Sequence, residues 1–378
     1  MTAAQTDTGG HWIGAHLFHF GDLDPLITDV VDPVTRELAA DGTAGRSFFL
    51  RYWEGGQHVR LRLEVPDPAR APRVRDLVRE RAAAHFATHP SPSVDAAAYR
   101  AFASAMAAGE RRTSYDDRLH PAGSVAFLGY RPEYEAYGDA ACVAAAERHF
   151  AVSSRLALDV LRARTEMGRR AAIGLAALTA AAAVCEPDLP TAAHRLAAAA
   201  RDAQETRNGK VNKGHDAQEA RNGAASTDDR TRHDAPKGEN SAASKDDLPR
   251  HVTRKAENSA ASEDDWRRRE GAVLAQTRRL WDAPDSGGDL LAAWAASLRA
   301  LRDDLDLLHA AGRCAPLDSG SPHASLALVA PPERRTVSLI LMRCVHLFHN
   351  RLGLRAGTER HVSYLAARGI AGLADSRR

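Results

Sequence analysis

The stretch Ser47-Phe-Phe-Leu-Arg-Tyr-Trp-Glu-Gly-Gly-Gln-His-Val-Arg-Leu-Arg-Leu-Glu-Val65 decides the fold. Apolar and polar residues alternate on both sides of Gly55-Gly56, and Gly-Gly is a favoured two-residue hairpin turn. With that turn, Trp53 faces His58, Tyr52 faces Val59, Arg51 faces Arg60 and Phe49 faces Arg62. Side chains alternate along a strand. One face should therefore carry Phe48, Leu50, Tyr52, Val59, Leu61 and Leu63, and the other Phe49, Arg51, Trp53, His58, Arg60 and Arg62. Like charges directly opposite one another destabilise a sheet. Arg51 against Arg60 thus calls either for acidic cover from elsewhere or for a bound anion.

Working outward, His11 to Phe20 reads as a strand. Pro25 can open a helix at its first turn, with Leu26, Ile27, Val30, Val34 and Leu38 at helical spacing, Gly42 as the stop and Pro33 as a kink or break. After the hairpin, Pro72 to Ala87 and Ser93 to Ala108 read as helices, and Ser124 to Tyr130 as a short strand that enters a loop over 131–138. Asp139 caps a long helix. Helices dominate to about Ala200 and resume as Trp266 to Trp281, Asp289 to Ala311, Arg335 to Leu352 and Thr358 to Leu373. Cys314 to His323 reads as a Gly/Ser/Pro-rich loop. The order predicts an α+β fold, an antiparallel or mixed sheet packed on a helix-rich C-terminal part. A single domain is expected over 11–378.

One stretch stands apart. From 202 to 265 large apolar residues almost vanish, and Asn222-Gly-Ala-Ala-Ser-Thr-Asp-Asp recurs 18 residues on from Asn240 and again from Asn258. Solenoid repeats bury a hydrophobic face between neighbours, and these have none. The segment reads as a disordered repeat insertion.

Lys plus Arg is 51 and Asp plus Glu is 49, so a net charge of +2 carries no nucleic-acid or membrane signature. Cys142, Cys185, Cys314 and Cys344 form no CxxC pair, which fits a reducing compartment. Met1 to Gly10 is no signal peptide, and the longest apolar stretch, Ala171 to Cys185, is too short for a bilayer. A cytoplasmic location is expected. There is no Walker loop, Rossmann fingerprint, GxSxG elbow or HExxH. His346 and His349 are three apart with no recognisable third ligand, so neither metal nor cofactor is expected.

Three motifs carry a resemblance. His58-Val-Arg60-Leu-Arg62 resembles the HxRxR signature of the lantibiotic dehydratase C-terminal domain, also called the thiopeptide-type bacteriocin biosynthesis domain. Tyr130-Arg-Pro-Glu-Tyr-Glu-Ala-Tyr-Gly resembles its central Tyr-x-x-Glu-x-x-Arg-Tyr-Gly-Gly. His346-Leu-Phe-His-Asn350-Arg351-Leu resembles its His-x-x-x-Asn-Arg-Leu. The resemblance spans Trp12 to about Arg368, with the repeat insertion foreign to it. It implies an enzyme that modifies a leader-bearing precursor peptide, in contact with other enzymes of the pathway; a homodimer is compatible with it.

One branch of the family eliminates glutamate from glutamylated Ser or Thr, which needs a base and cations for the departing carboxylate. The other, the stand-alone pyridine synthases, joins two dehydroalanines in a formal aza-[4+2] cycloaddition and expels water and the leader. Here Ala136 takes the place of the elimination Arg and Asp139 that of the second Gly. The chain also lacks a glutamylation domain, so the resemblance favours the cyclase; elimination and a non-catalytic leader-binding role are the alternatives. It implies that His346 shuttles protons, that Arg60 and Arg62 hold peptide carbonyls or an anionic intermediate, and that Tyr130 donates a proton. Arg51, Trp53, His58, Tyr134, Tyr137, Asn350 and Arg351 are expected on the substrate, with Asn350 orienting His346. Core packing is the competing reading for at least two of the tyrosines, and pairing with Glu133 or Glu135 for Arg351.

Overall fold

The computed structural model describes residues 11–109, 114–202, 247–283, 288–317 and 320–375, with backbone alone for 109, 247–260, 288–289 and 375. The bulk of the predicted insertion, 203–246, lies outside the described residues. Four strands, β1 (His11–Phe18), β2 (Ser47–Tyr52), β3 (His58–Val65) and β4 (Ser124–Gly129), form one sheet of order β2-β3-β1-β4. All neighbours are antiparallel. The fold class is the α+β arrangement expected.

Before the hairpin, α1 (Leu23–Leu26) and α2 (Asp32–Ala40) form one run joined by a π-helical segment, Ile27–Val31. The widened turn falls just ahead of Pro33, with the Asp32 N–H bonded to the Ile27 carbonyl. A proline removes a donor and crowds the carbonyl of the preceding turn, and an extra residue in that turn absorbs both effects. Then come α3 (Ala71–Thr88), α4 (Ala96–Gly109), the short α5 (Tyr134–Tyr137), α6 (Ala140–Arg162), α7 (Met167–Cys185) and α8 (189–202). The helical part closes with α9 (Asp247–Asp282), α10 (Gly288–Ala310), α11 (Arg335–Leu352) and α12 (Ala356–Asp375). Asp139 caps α6 as expected, its carboxylate accepting from the N–H groups of Ala141 and Cys142.

Three sequence expectations change. The segment 131–138 holds the single-turn helix α5 rather than loop alone. Helix α9 begins at Asp247, inside the stretch expected to be disordered, and its 261–265 end docks on α12. There Asp265 is 2.8 Å from His361 Nε2, and Glu263 accepts from the Tyr364 hydroxyl. Helix α7 starts four residues earlier than the apolar run read from sequence. Its length and composition would let it cross a membrane, yet 72% of its apolar window is buried. It packs against α9, α10, α11 and α12 as a core helix.

The sheet buries Ile13, Ala15, Leu17, Phe49, Val59, Leu61, Leu63 and Val65 from one face. Val30, Val31, Val34, Leu38, Val74 and Val78 of the early helices belong to the same core. Each fully buried side chain of this size contributes about 1.5–3 kcal/mol. The opposite face carries Phe18, His58, Arg60 and Arg62.

The hairpin register is shifted by one residue from the sequence reading. Tyr52 pairs with His58, Leu50 with Arg60 and Phe48 with Arg62. The turn is not Gly55-Gly56 alone but runs from Trp53 to Gln57. Trp53 leaves the strand to pack with Tyr99, Ala103 and Ala107. Gly55 donates to the Tyr99 hydroxyl at 2.7 Å and accepts from His120 N at 2.8 Å. Gly55 and Gly56 sit at φ +80° and +109°, which side chains resist. A one-residue slip sends every side chain to the other face. Arg51 is therefore not opposite Arg60; it stands on the far side of the sheet, 2.5 Å from Asp24. The expected clash of like charges does not arise.

Strand β2 is an edge, and edge backbone groups need partners. Helices α6 and α11 supply them. Phe49 N donates to Ser154 Oγ at 3.2 Å, and Phe49 O accepts from Arg351 Nε at 2.9 Å. Arg51 N donates to Asn350 Oδ1 and Arg51 O accepts from Asn350 Nδ2, both at 2.9 Å. Side chains thus take the place of a fifth strand, and they dock the sheet on the helices.

Candidate active site

The register places His58, Arg60 and Arg62 on one face beside His16 and Phe18 of β1. Arg62 lies over Gly14, where a Cβ would sit 2.4 Å from Leu128 O and 3.0 Å from the guanidinium; glycine opens that path. Arg62 is 8% exposed and has no carboxylate within ion-pair distance among the described residues. Its partners are His16 Nε2 at 3.1 Å, the Leu61 carbonyl at 3.4 Å and the Tyr130 ring, whose centroid is 5.6 Å from the guanidinium carbon. Burial, then the neighbouring Arg60, lowers its pKa to about 10, so it stays charged at neutral pH.

Arg60 stacks on Tyr52, 3.4 Å from the ring centroid, and meets Glu54 at 3.4 Å. Its Nε donates to His58 Nε2 at 3.2 Å. The other His58 nitrogen, Nδ1, is 2.7 Å from Gly56 O. A carbonyl only accepts, so Nδ1 carries the proton and Nε2 offers its lone pair to Arg60. The His16 and His58 rings stack at 4.9 Å. Burial, followed by Arg62, pushes the His16 imidazolium down to about 2; burial, with Arg60 and Arg62 adding to it, pushes His58 to about 3. Two guanidiniums are therefore held chiefly by neutral imidazoles. That arrangement fixes their geometry; Arg60 is also paired with Glu54, whereas Arg62 has no carboxylate at ion-pair distance among the described residues.

The 131–138 segment and α11 border this face. Glu133 acts electrostatically on both Arg60 and Arg62 and pairs with Arg343 at 2.9 Å. Arg343 also donates to the Tyr137 hydroxyl at 3.3 Å. His346 follows three residues after Arg343 and Asn350 four residues later, so all three share one stripe of α11. His346 is 36% exposed at its side chain and its Nδ1 lies 2.8 Å from Glu359, a carboxylate only 5% exposed. The carboxylate holds the proton on Nδ1 and leaves Nε2 as the outward lone pair. Nε2 has no hydrogen-bond partner among the described residues.

The structure thus brings Arg60, Arg62, His58 and Tyr130 together. It commits the Tyr130 hydroxyl to Glu147 at 2.6 Å, and burial raises both groups' pKa values. Tyr134 is half exposed. Tyr137 is 2% exposed and packs against Phe150, the core role that was the competing reading. Arg51 and Trp53 point away, for the register reasons above. Asn350 caps β2 and does not orient His346. Arg351 is fully buried, bonded to Phe49 O and Ser153 Oγ, and pairs with neither Glu133 nor Glu135.

His346 and His349 also part company. His349 Nε2 donates to Gly174 O at 3.0 Å, and its Nδ1 is 3.0 Å from His323 Nε2. His323, His349 and Glu359 sit close enough to hold a metal, but the two imidazoles already satisfy one another and Ser363. Sequence reasoning missed Glu359, Arg343, His323 and the pairing role of His16. Arg343 was findable from its i,i+3 spacing to His346. Glu359 lies on another helix, and nothing local announces it.

The chain belongs to the lantibiotic biosynthesis dehydratase C-terminal family, whose model matches residues 12–370. Among solved structures it is similar to the pyridine synthase TbtD from thiomuracin biosynthesis, with a TM-score of 0.64 and 19% identity over 97% of this chain and 99% of that one. It is also similar to TsrL, with a TM-score of 0.56 and 19% identity over 96% of this chain and 95% of that one. No curated protein matches the sequence. The family places the chain in the biosynthesis of ribosomally made peptide natural products, as an enzyme acting on such a peptide.

Proposed function

We propose that the chain is a pyridine-synthase-like cyclase. It takes a dehydrated, leader-bearing precursor peptide, joins two dehydroalanines in a formal aza-[4+2] cyclisation, and releases water and the leader. The observation that carries this reading is the cationic face itself: Arg60 and Arg62, held by neutral His58 and His16, with Ala136 buried where an elimination enzyme has its further arginine. Such a face suits peptide carbonyls and an anionic or imidic-acid intermediate, whose developing charge Arg62 can meet without first displacing a paired carboxylate. His346, oriented by Glu359, removes a proton through Nε2 and returns it to the departing group. The face positions the two reacting ends, which is the main demand of a cycloaddition.

Glutamate elimination is the second reading. Arg343 favours it, because its guanidinium reaches the same segment from which Ala136 removes one. The Glu133 carboxylate neutralises that cation, and this weighs toward the cyclase.

The test uses a dehydrated, azole-bearing core peptide joined to its leader, with products followed by mass. Leader loss with pyridine formation supports the cyclase, and an unchanged mass sinks it. Glutamate loss from a glutamylated peptide supports elimination instead. Leader binding without either turnover leaves a partner protein. Under the cyclase reading, Arg62→Ala abolishes turnover and Arg62→Lys keeps a small part of it, since a lysine cannot reproduce the fork over Gly14.

A further inference from the structure

On the other side of the sheet, three histidines and an aspartate converge without a purpose in the chemistry above. His19 follows β1 and packs its ring against His85, with centroids 6.0 Å apart. His85 lies in the last turn of α3 and His89 just past its end, their rings stacked at 4.4 Å. Asp29, in the π-helical segment between α1 and α2, brings an oxygen to 3.4 Å from His85 Nδ1. One atom each from Asp29, His85 and His89 lie within 4.8 Å of one another.

What marks this group is unmet bonding. The side chain of His85 is 3% exposed, yet its Nδ1 meets only the Asp29 carboxylate, at 3.4 Å, and its Nε2 has no hydrogen-bond partner among the described residues. His19 Nδ1 is likewise buried and has no partner among the described residues. Buried polar atoms in folded chains are almost always paired, and exceptions point to a missing water or ion. The cluster of His323, His349 and Glu359 offers the contrast, because hydrogen bonds already occupy its imidazoles. Thr88 Oγ1 gives its proton to backbone oxygens of the preceding turn and lies 3.0 Å from His89 Nδ1. Its oxygen therefore accepts from Nδ1–H and leaves the lone pair on Nε2. Burial, and then the proximity of His89, lowers the pKa of both His19 and His85, so their rings are neutral at pH 7.

We propose that Asp29, His85 and His89 bind one divalent first-row metal ion, zinc by the chemistry of the donors, with water in the fourth position. Two imidazoles and a carboxylate are a common zinc triad, and zinc accepts a fourth ligand in tetrahedral array. Donor atoms around such an ion stand about 3.3 Å apart. The Asp29–His85 pair is already at 3.4 Å. Stacked rings send their lone pairs parallel, so capture requires His89, the exposed member, to turn out of the stack. The ion ties the end of α3 to the π-helical segment between α1 and α2, and so acts as a clamp between the early helices.

The experiment uses the untagged full chain, stripped with EDTA and titrated with Co2+ and Zn2+. Cobalt d–d absorption reports geometry, and competition with a chromophoric chelator reports zinc affinity. We expect one equivalent per chain in a tetrahedral spectrum, and a melting temperature that rises with zinc. Asp29→Asn and His89→Ala each should weaken zinc binding at least about tenfold. Both positions are surface-accessible, and an unchanged melt in EDTA verifies that the variants fold. Absence of stoichiometric binding overturns the proposal. So does undiminished binding in His89→Ala, which places the ion elsewhere in the chain.

Discussion

Replacing Asn350 with alanine separates a structural motif from a substrate contact. Asn350 makes two hydrogen bonds of 2.9 Å to the backbone of Arg51, one in each direction. Alanine leaves an N–H and a C=O of an edge strand without partners. Each buried orphan costs about 1–3 kcal/mol, and water reaching the half-buried edge brings the pair toward the low end. Alanine also favours the helix over asparagine by about 0.5 kcal/mol, which offsets part of the loss. The net expectation is a destabilisation of about 2 kcal/mol. Asn350→Asp keeps the acceptor for Arg51 N but sets an oxygen against Arg51 O, so it should cost at least as much. Urea unfolding gives the stability, and single-turnover kinetics on the folded fraction give the chemistry. A loss below about 0.5 kcal/mol together with a collapse of turnover would refute the edge-cap argument and return Asn350 to the substrate.

Other outcomes follow from the same geometry. Gly14→Ala should destabilise by about 1–3 kcal/mol and displace Arg62, since its Cβ would meet Leu128 O at 2.4 Å; denaturation matching the parent chain would contradict the close approach. Glu359→Gln should cut turnover about tenfold or more and add nothing in a His346→Ala background, as a double-mutant cycle would measure; additive losses would separate the two residues. Stability should fall steeply with acid. His16 and His323 titrate at about 2 and His58 and His149 at about 3 in the folded chain, against 6.5 when unfolded, with burial the largest cause in each case. The unfolded chain therefore takes up more protons below pH 6.5. Stability is complete above that pH and is lost as pH falls toward the folded values, by up to about 1.4 kcal/mol per unit for each histidine. Urea midpoints that stay level between pH 7 and 5 would show that these imidazoles are not held neutral.

The sequence carried its local rules well and its register badly, and the two have one cause. Caps, helix faces and strand identity depend on neighbours within a few residues, so Asp139, α11 and the hairpin strands were legible. The turn depends on Trp53, which leaves the strand for Tyr99, 46 residues away, and no local pattern announces that choice. The slip is one residue, yet it decides which arginines share a face. It moved Arg51 to Asp24 and off the face that Arg60 and Arg62 share with His16, a partner on another strand.

The C-terminal motif then divides into two jobs. His346 and Asn350 are one turn apart on a single stripe, so the contact that fixes Asn350 to β2 also fixes where His346 stands along the sheet. Arg351, fully buried one residue on, holds Phe49 O and keeps that stripe from rotating. The spacing in His-x-x-x-Asn-Arg is thus a length measured from the edge of the sheet to His346. Inserting one residue between His346 and Asn350 should swing the imidazole about 100° around the helix and abolish turnover, while the β2 caps stay in place.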